Sequence, residues 1–250
     1  MDIELDFEKR YRLVREVIET VVLTVLMFMV IRLAVQNFNV DGHSMEPGLH
    51  NTELILVDKW SYLFRAPARG DVIVFVAPPQ PSQDYVKRII GLPGDIITIQ
   101  NTTVYVNGVR LNEPYVAPAN QGNPYPSFAN LVVPPNAYFV LGDNRGGSSD
   151  SRDWGCVPAK NLIGQAALVY WPLGMDNNGL LHNYSSVFNN VPRPSLAPGT
   201  SFTTCRIINN PQPAASTASR PDDVFDQSTL IVLALPAVFV GFGRRRRRHA

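Results

Sequence analysis

From Val17 to Gln36 the chain runs VIETVVLTVLMFMVIRLAVQ. At helical rise such a stretch covers about 30 Å, the thickness of a bilayer's hydrocarbon core. A helix here is apolar on every side from Val21 to Ile31, so it needs either lipid or a shell of partner helices, and no partner helices occur elsewhere in the sequence. Glu19 and Arg32 sit near the two ends, where long side chains reach the headgroups. The segment therefore reads as a transmembrane anchor over 17–36 and not as a buried core helix. A cleavable signal peptide fits less well, because the run is long and lacks a small-x-small ending. Lys9, Arg10, Arg12 and Arg15 precede it, and beyond it no Lys or Arg follows until Lys59. The positive-inside bias then puts residues 1–16 in the cytoplasm and the rest of the chain outside a cell membrane, plasma or inner.

Past the anchor the pattern is that of strands. Glu53 to Val57, Asp71 to Val76, Tyr85 to Ile90 and Ile96 to Gln100 are short, β-branched or aromatic runs set off by Pro and Gly. Val104-Tyr105-Val106, Asn107-Gly108, Val109-Arg110-Leu111 is a hairpin signal, since Asn-Gly accepts the positive φ of a two-residue turn. Ala137 to Leu141 and Ile163 to Trp171 supply further strands, and Asn112 to Pro135, rich in Pro and Asn, reads as an irregular excursion. The spacing predicts a mainly β domain over 37–98 and 136–172, with 99–135 as a small cap subdomain.

After Trp171, Pro, Asn and Ser dominate, and 173–228 reads as an extended tail. The final segment, 229–250, holds an apolar stretch from Thr229 to Gly243 that is short for a span and carries Pro236, followed by Arg244 to Arg248. Those arginines suit a cytoplasmic stop or headgroup binding. The net charge of +1 argues against nucleic acid as a partner. Cys156 and Cys205 form no Cys-x-x-Cys pair and are expected to be free thiols.

His43, His50, His182 and His249 are too scattered for a metal cluster, and no metal or other cofactor is expected. Ser44, in Gly42-His43-Ser44-Met45-Glu46-Pro47, is a candidate nucleophile, but a serine needs a base. His43 is its immediate neighbour, which on an extended backbone points the other way, and His50 has no evident orienting acid. Lys87 can serve if burial keeps its amine neutral. The alternation Tyr85-Val86-Lys87-Arg88 permits a buried amine without demanding one, and a lone lysine is ordinarily a solvated charge.

Four blocks in order carry more: GHSMEP at 42–47, RGDVIVF at 69–75, YVKRIIGLPGD at 85–95 and FVLGDNRGGSSDSRDWG at 139–155. Together they resemble the successive signature blocks of bacterial type I signal peptidases, membrane-anchored Ser/Lys endopeptidases. The resemblance implies a mainly β fold, with an N-terminal transmembrane helix, an antiparallel catalytic sheet and a small β cap. Ser44 would be the nucleophile and Lys87 the general base, acting on secretory preproteins at the membrane lipid surface. Ser148 would orient the amine, and Asp150 would pair with Arg145 or Arg152. The Ser44 N–H would serve the oxyanion. Where some relatives carry a second donor as a serine, this chain has Gly42, which leaves that donor unassigned.

The same resemblance matches Phe38, Val40, Met45, Leu49, Val74, Tyr85 and Val86 to pocket-lining positions. Bulky linings leave room for methyl-sized groups, consistent with cleavage after small residues of the Ala-x-Ala type. Two alternatives use the same residues differently. A self-cleaving repressor shares Ser/Lys chemistry, but this chain has an anchor and no N-terminal DNA-binding helices. A silent, membrane-tethered peptide-binding β-domain would be marked by loss of Ser44 or Lys87, and both are present.

Overall fold

The computed structural model describes residues 2–121, 127–174, 179–195 and 200–208. Helix α1, Asp2–Ala34, contains an apolar stretch, Arg10–Ala34, with mean hydropathy 2.2, none of it buried against protein. Among the described residues it is the one helix long and apolar enough to cross a membrane. The anchor expected over 17–36 ends two residues earlier, because strand β1, Val35–Asn39, begins at once and pairs Val35 with Asp58 of β2, Leu54–Asp58. The Lys59 N–H donates to Ala34 O at 3.0 Å, tying the helix end to the sheet.

The main sheet continues with β3, Val72–Val76, β4, Asp84–Gly91, β9, Ala137–Leu141, β10, Val157–Pro158, and β11, Leu162–Trp171. Its order is β1-β2-β11-β3-β4-β9-β10, antiparallel throughout, with β12, Gly179–Leu180, added on β11. A second sheet is built from β5, Ile96–Gln100, β6, Thr103–Val106, β7, Val109–Arg110, β8, Phe128–Val132, and β13, Thr203–Thr204, in the order β13-β8-β5-β6-β7. The Asn107-Gly108 turn joins β6 to β7 with φ of 51° and 83°, the positive values its residues favour. Two short α-helices, α2, Ser61–Phe64, and α3, Ser151–Trp154, lie outside the sheets.

Strand β3 shows why this sheet is buried on both faces. Its alternation sends Val72 and Val74 into a cluster with Val40, Met45 and Leu49, and sends Ile73 and Phe75 into another with Val140 and Trp154. Because Ile73 faces Lys87 and Phe75 faces Tyr85 across the β3–β4 register, Lys87 and Tyr85 take the second face and Val86 and Arg88 the first. With both faces covered, Lys87 and Arg88 are both buried.

Two expectations fail beyond Trp171. The segment is no plain tail: β12 pairs with β11, Phe188 enters the core, and β13 lies parallel to β8. The cysteines are not free thiols either, since Cys156 and Cys205 form a disulfide with Cα atoms 5.9 Å apart. Cys156 N–H donates to Arg206 O at 2.8 Å, and this backbone pairing brings the two sulfurs together. The apolar stretch 229–243 and the arginine run lie outside the described residues.

Candidate active site

Ser44 sits in the turn-rich link between β1 and β2, held from several sides. Val40 N–H donates to Glu53 O and Thr52 N–H to Val40 O, each at 2.8 Å, closing the base of the link. Met45 and Leu49 are buried beneath it. Across the link, Asn144 N–H donates to Ser44 O at 3.1 Å and Asn144 Nδ2 to His43 O at 3.0 Å. The backbone at Gly42 has φ of 103°, a region that favours glycine, which accounts for the missing serine at that position. Its N–H is taken by Asn51 Oδ1 at 2.8 Å, so it does not supply the second oxyanion donor. Among the described residues the Ser44 N–H has no acceptor and remains open to one.

Lys87 Nζ lies 2.9 Å from Ser44 Oγ and donates to Val86 O at 3.0 Å, with the Tyr85 ring centroid 5.2 Å away. The residue is only 4% exposed. Burial, opposed by the charges of Asp150 and Asp143, lowers its pKa to about 8. At pH 7 roughly a tenth of the molecules would then hold the neutral amine, about 300-fold more than an ordinary lysine offers. His43 turns away, with Nδ1 2.7 Å from Glu46 Oε1 and its side chain largely in solvent.

The loop after β9 closes the site from the other side. Asp150 is fully buried and caps α3, accepting from Arg152 Nε at 2.7 Å and Nη2 at 2.8 Å and from Gly142 N–H at 3.0 Å. Of the two arginines expected for Asp150, Arg152 is the partner. Arg145 instead joins Glu113 and donates from Nε to Gly142 O at 3.0 Å. Gly142 is thus gripped at both its N–H and its carbonyl. It must be glycine, because a Cβ there would lie 2.5 Å from Ser44 O and still closer to Ser148. Arg88 donates from Nε and Nη2 to Asp143 at 2.8 and 2.6 Å, an ion pair buried beside the lysine.

Ser148 departs from its expected role. Among the described residues its buried Oγ makes no hydrogen bond, so the contact orienting Lys87 is not formed in this structure; the amine is engaged by Ser44 Oγ and Val86 O.

Ser44 and Lys87 open onto a cleft of about 260 Å³. Phe38, Val40, Val74, Tyr85 and Val86 line it. Met45 and Leu49 do not; at 2% and 1% exposure they belong to the core under the serine link. The lining also includes Asn39, Asp41, Ile55, Asp84, Gly147 and Ser149. Ile55 is brought to the cleft by its pairing with Phe38 across β1 and β2. Asp41 and Ser149 carry no pattern of their own and are brought in by neighbouring turns. β1 is an edge strand, and β9 pairs with β4 only from Arg88 onward, so the stretch of β4 from Asp84 to Lys87 borders the cleft with one side unpaired by β9.

Comparison with known proteins gives a consistent result. The family model described as signal peptidase, peptidase S26, matches residues 14–171. Signal peptidase I of Bacillus caldolyticus is 42% identical over 146 residues, which cover 54% of this chain and 79% of that protein. Signal peptidase I of Leptolyngbya laminosa is 37% identical over 166 residues, covering 63% of this chain and 80% of the relative. The crystal structure of a signal peptidase I from Enterococcus faecalis V583 aligns with a TM-score of 0.37 at 38% identity, covering 40% of this chain and 97% of that one.

Proposed function

The chain belongs to the S26 family of signal peptidases, serine endopeptidases that remove signal peptides, and from that membership we propose that its chemistry is carried by Ser44 and Lys87. The observation that carries this reading is the 2.9 Å approach of a buried amine with lowered pKa to the only hydroxyl in the matching motif. Neutral Lys87 takes the Ser44 proton as Oγ attacks the carbonyl before the scissile bond. The Ser44 N–H stabilises the oxyanion. The carbon–nitrogen bond then breaks, Lys87 gives its proton to the leaving amine, and an acyl-enzyme remains. A water attacks that ester, passing a proton to Lys87, and Ser44 Oγ recovers it as the acid leaves. Ser148, with its unpartnered buried hydroxyl, is available to the amine when Ser44 becomes acylated.

The substrate lies extended between β1 and the unpaired side of β4, adding main-chain hydrogen bonds at Asp84–Lys87. Phe38, Val40, Val74 and Val86 place bulky apolar side chains along the cleft beside Ser44, which favours small substrate side chains of the Ala-x-Ala type. The anchor holds the protein in the membrane with its N-terminus cytoplasmic and the sheet domain outside, where secretory preproteins emerge.

The test is cleavage of a preprotein with an Ala-x-Ala junction by the detergent-solubilised protein, beside Ser44→Ala and Lys87→Ala. Loss of at least about 1,000-fold in kcat is expected for each, in line with removal of a nucleophile or its base. Undiminished cutting by either variant would refute the dyad.

A further inference from the structure

The family match ends at residue 171, yet the described part of the segment beyond it returns to the site. Tyr184 stands with its ring centroid 5.1 Å from the Arg88 guanidinium carbon, and Tyr115 stands 4.4 Å from the same carbon. The two rings are 5.2 Å apart, so one cation and two aromatic faces form a single cluster. Arg88 and Tyr115 are each 3% exposed, while Tyr184 is half-buried and forms the outer wall. The turn that follows presses on the same arginine by another route. Ser185 N and the Phe188 ring lie 3.3 Å from where a Cβ on Gly70 would stand, and Gly70 O accepts from Arg88 Nη1 at 2.9 Å. The segment is tied down further along by Asn107 Nδ2 to Pro192 O at 2.8 Å and by the Cys156–Cys205 bridge.

We propose that Tyr184 is a positioning residue for the dyad, acting through Arg88 and Asp143 to keep Lys87 shielded from negative charge. This inference rests on the Ser/Lys reading above. Arg88 follows Lys87 in β4, and the carboxylate it neutralises, Asp143, is one of two whose charge favours the protonated lysine. The other, Asp150, is held by Arg152. The remaining charged and titratable groups of the cluster are Glu113, which accepts from Arg145 and from Tyr115 OH, and His182, whose ring lies 4.5 Å from that of Tyr184. Removing the Tyr184 ring admits water to Arg88 and loosens its hold on Asp143. The carboxylate so released favours the ammonium form of Lys87. The hydroxyl of Tyr184 makes no hydrogen bond among the described residues, so the ring carries the effect.

The experiment compares the pH dependence of kcat/KM for the full chain in detergent with that of Tyr184→Phe, Tyr184→Leu and Tyr184→Met. In the Leu and Met variants the acid limb is expected to move up by roughly half to one unit, less than the shift from a bare neighbouring charge. At pH 7 that is a loss of about three- to tenfold in kcat, with KM changed less than about twofold. Tyr184→Phe is expected to keep the wild-type limb. An unmoved limb in Leu and Met variants that fold would overturn the proposal, as would failure of both to fold, which would make Tyr184 merely a core residue. Lys87→Ala run beside them separates the two readings. If it retains activity the dyad itself is wrong; if it is dead while the limb stays put, only the role of Tyr184 is lost.

Discussion

A single added methyl group at Gly142 tests the geometry of this site most directly. In Gly142→Ala the new Cβ would lie 2.5 Å from Ser44 O, about 0.9 Å nearer than the 3.4 Å at which ordinary van der Waals contact begins. It would also collide with Ser148. Gly142 cannot retreat, because Asp150 holds its N–H and Arg145 its carbonyl. The movable party is therefore the Ser44 link, and a displacement of that size would stretch the 2.9 Å approach of Ser44 Oγ to Lys87 Nζ beyond hydrogen-bonding reach. A misplacement of about 1 Å at a reacting atom costs on the order of 100-fold in rate, or about 2.7 kcal/mol of transition-state stabilisation. Overpacking should cost a further 1–3 kcal/mol, roughly, in stability. The assay is kcat/KM on a preprotein beside a denaturant melt. The double variant Gly142→Ala, Ser148→Gly should regain only part of the activity, since the clash with Ser44 O persists. Wild-type kcat/KM in Gly142→Ala would refute the claim that this loop sets the position of the nucleophile.

Two further outcomes follow from the same structure. The lowered pKa of Lys87, about 8, belongs to a group that must be neutral to act, so kcat/KM should be full above that value and fall as pH drops through it, about tenfold per unit. Chelators should leave the profile unchanged, and a limb centred near the ordinary lysine value would contradict the burial argument. The Cys156–Cys205 bridge closes a separation of 49 residues, for which chain entropy gives about 4 kcal/mol. Cys156→Ser with Cys205→Ser should lose most of that in chemical denaturation; equal stability would mean the returning segment is held without it.

Much of the scaffold was legible because its signals are local. The anchor is a continuous apolar run, the β6–β7 hairpin is specified by Asn107-Gly108, and β3 reads from DVIVFV. The site was legible in another way. Ser44 and Lys87 are distant in the chain, and no periodicity links them; four motif blocks in order did. What escaped reading lacks local pattern. Cys205 sits in a polar, Pro-rich stretch whose pairing with β8 and Cys156 is entirely long-range. Matching positions point to Met45 and Leu49 as pocket residues, but the turns of the serine link direct them into the core. By sequence Arg145 is as good a partner for Asp150 as Arg152, yet the excursion brings Glu113 to it instead.

By itself, then, the sequence determined that a helix must seek lipid, that a β-domain follows it, and which side chains have the chemistry of a nucleophile and a base. Hydrophobicity, strand alternation and turn preference act over neighbouring residues and survive in a linear reading. The tertiary structure alone decided that Lys87 is buried and so lowered in pKa, that Gly142 is wedged against Ser44 and Ser148, and that residues beyond Trp171 return to brace Arg88. Desolvation, steric exclusion and the pairing of buried charges depend on which atoms surround a group, and that neighbourhood exists only once distant segments of the chain have packed together.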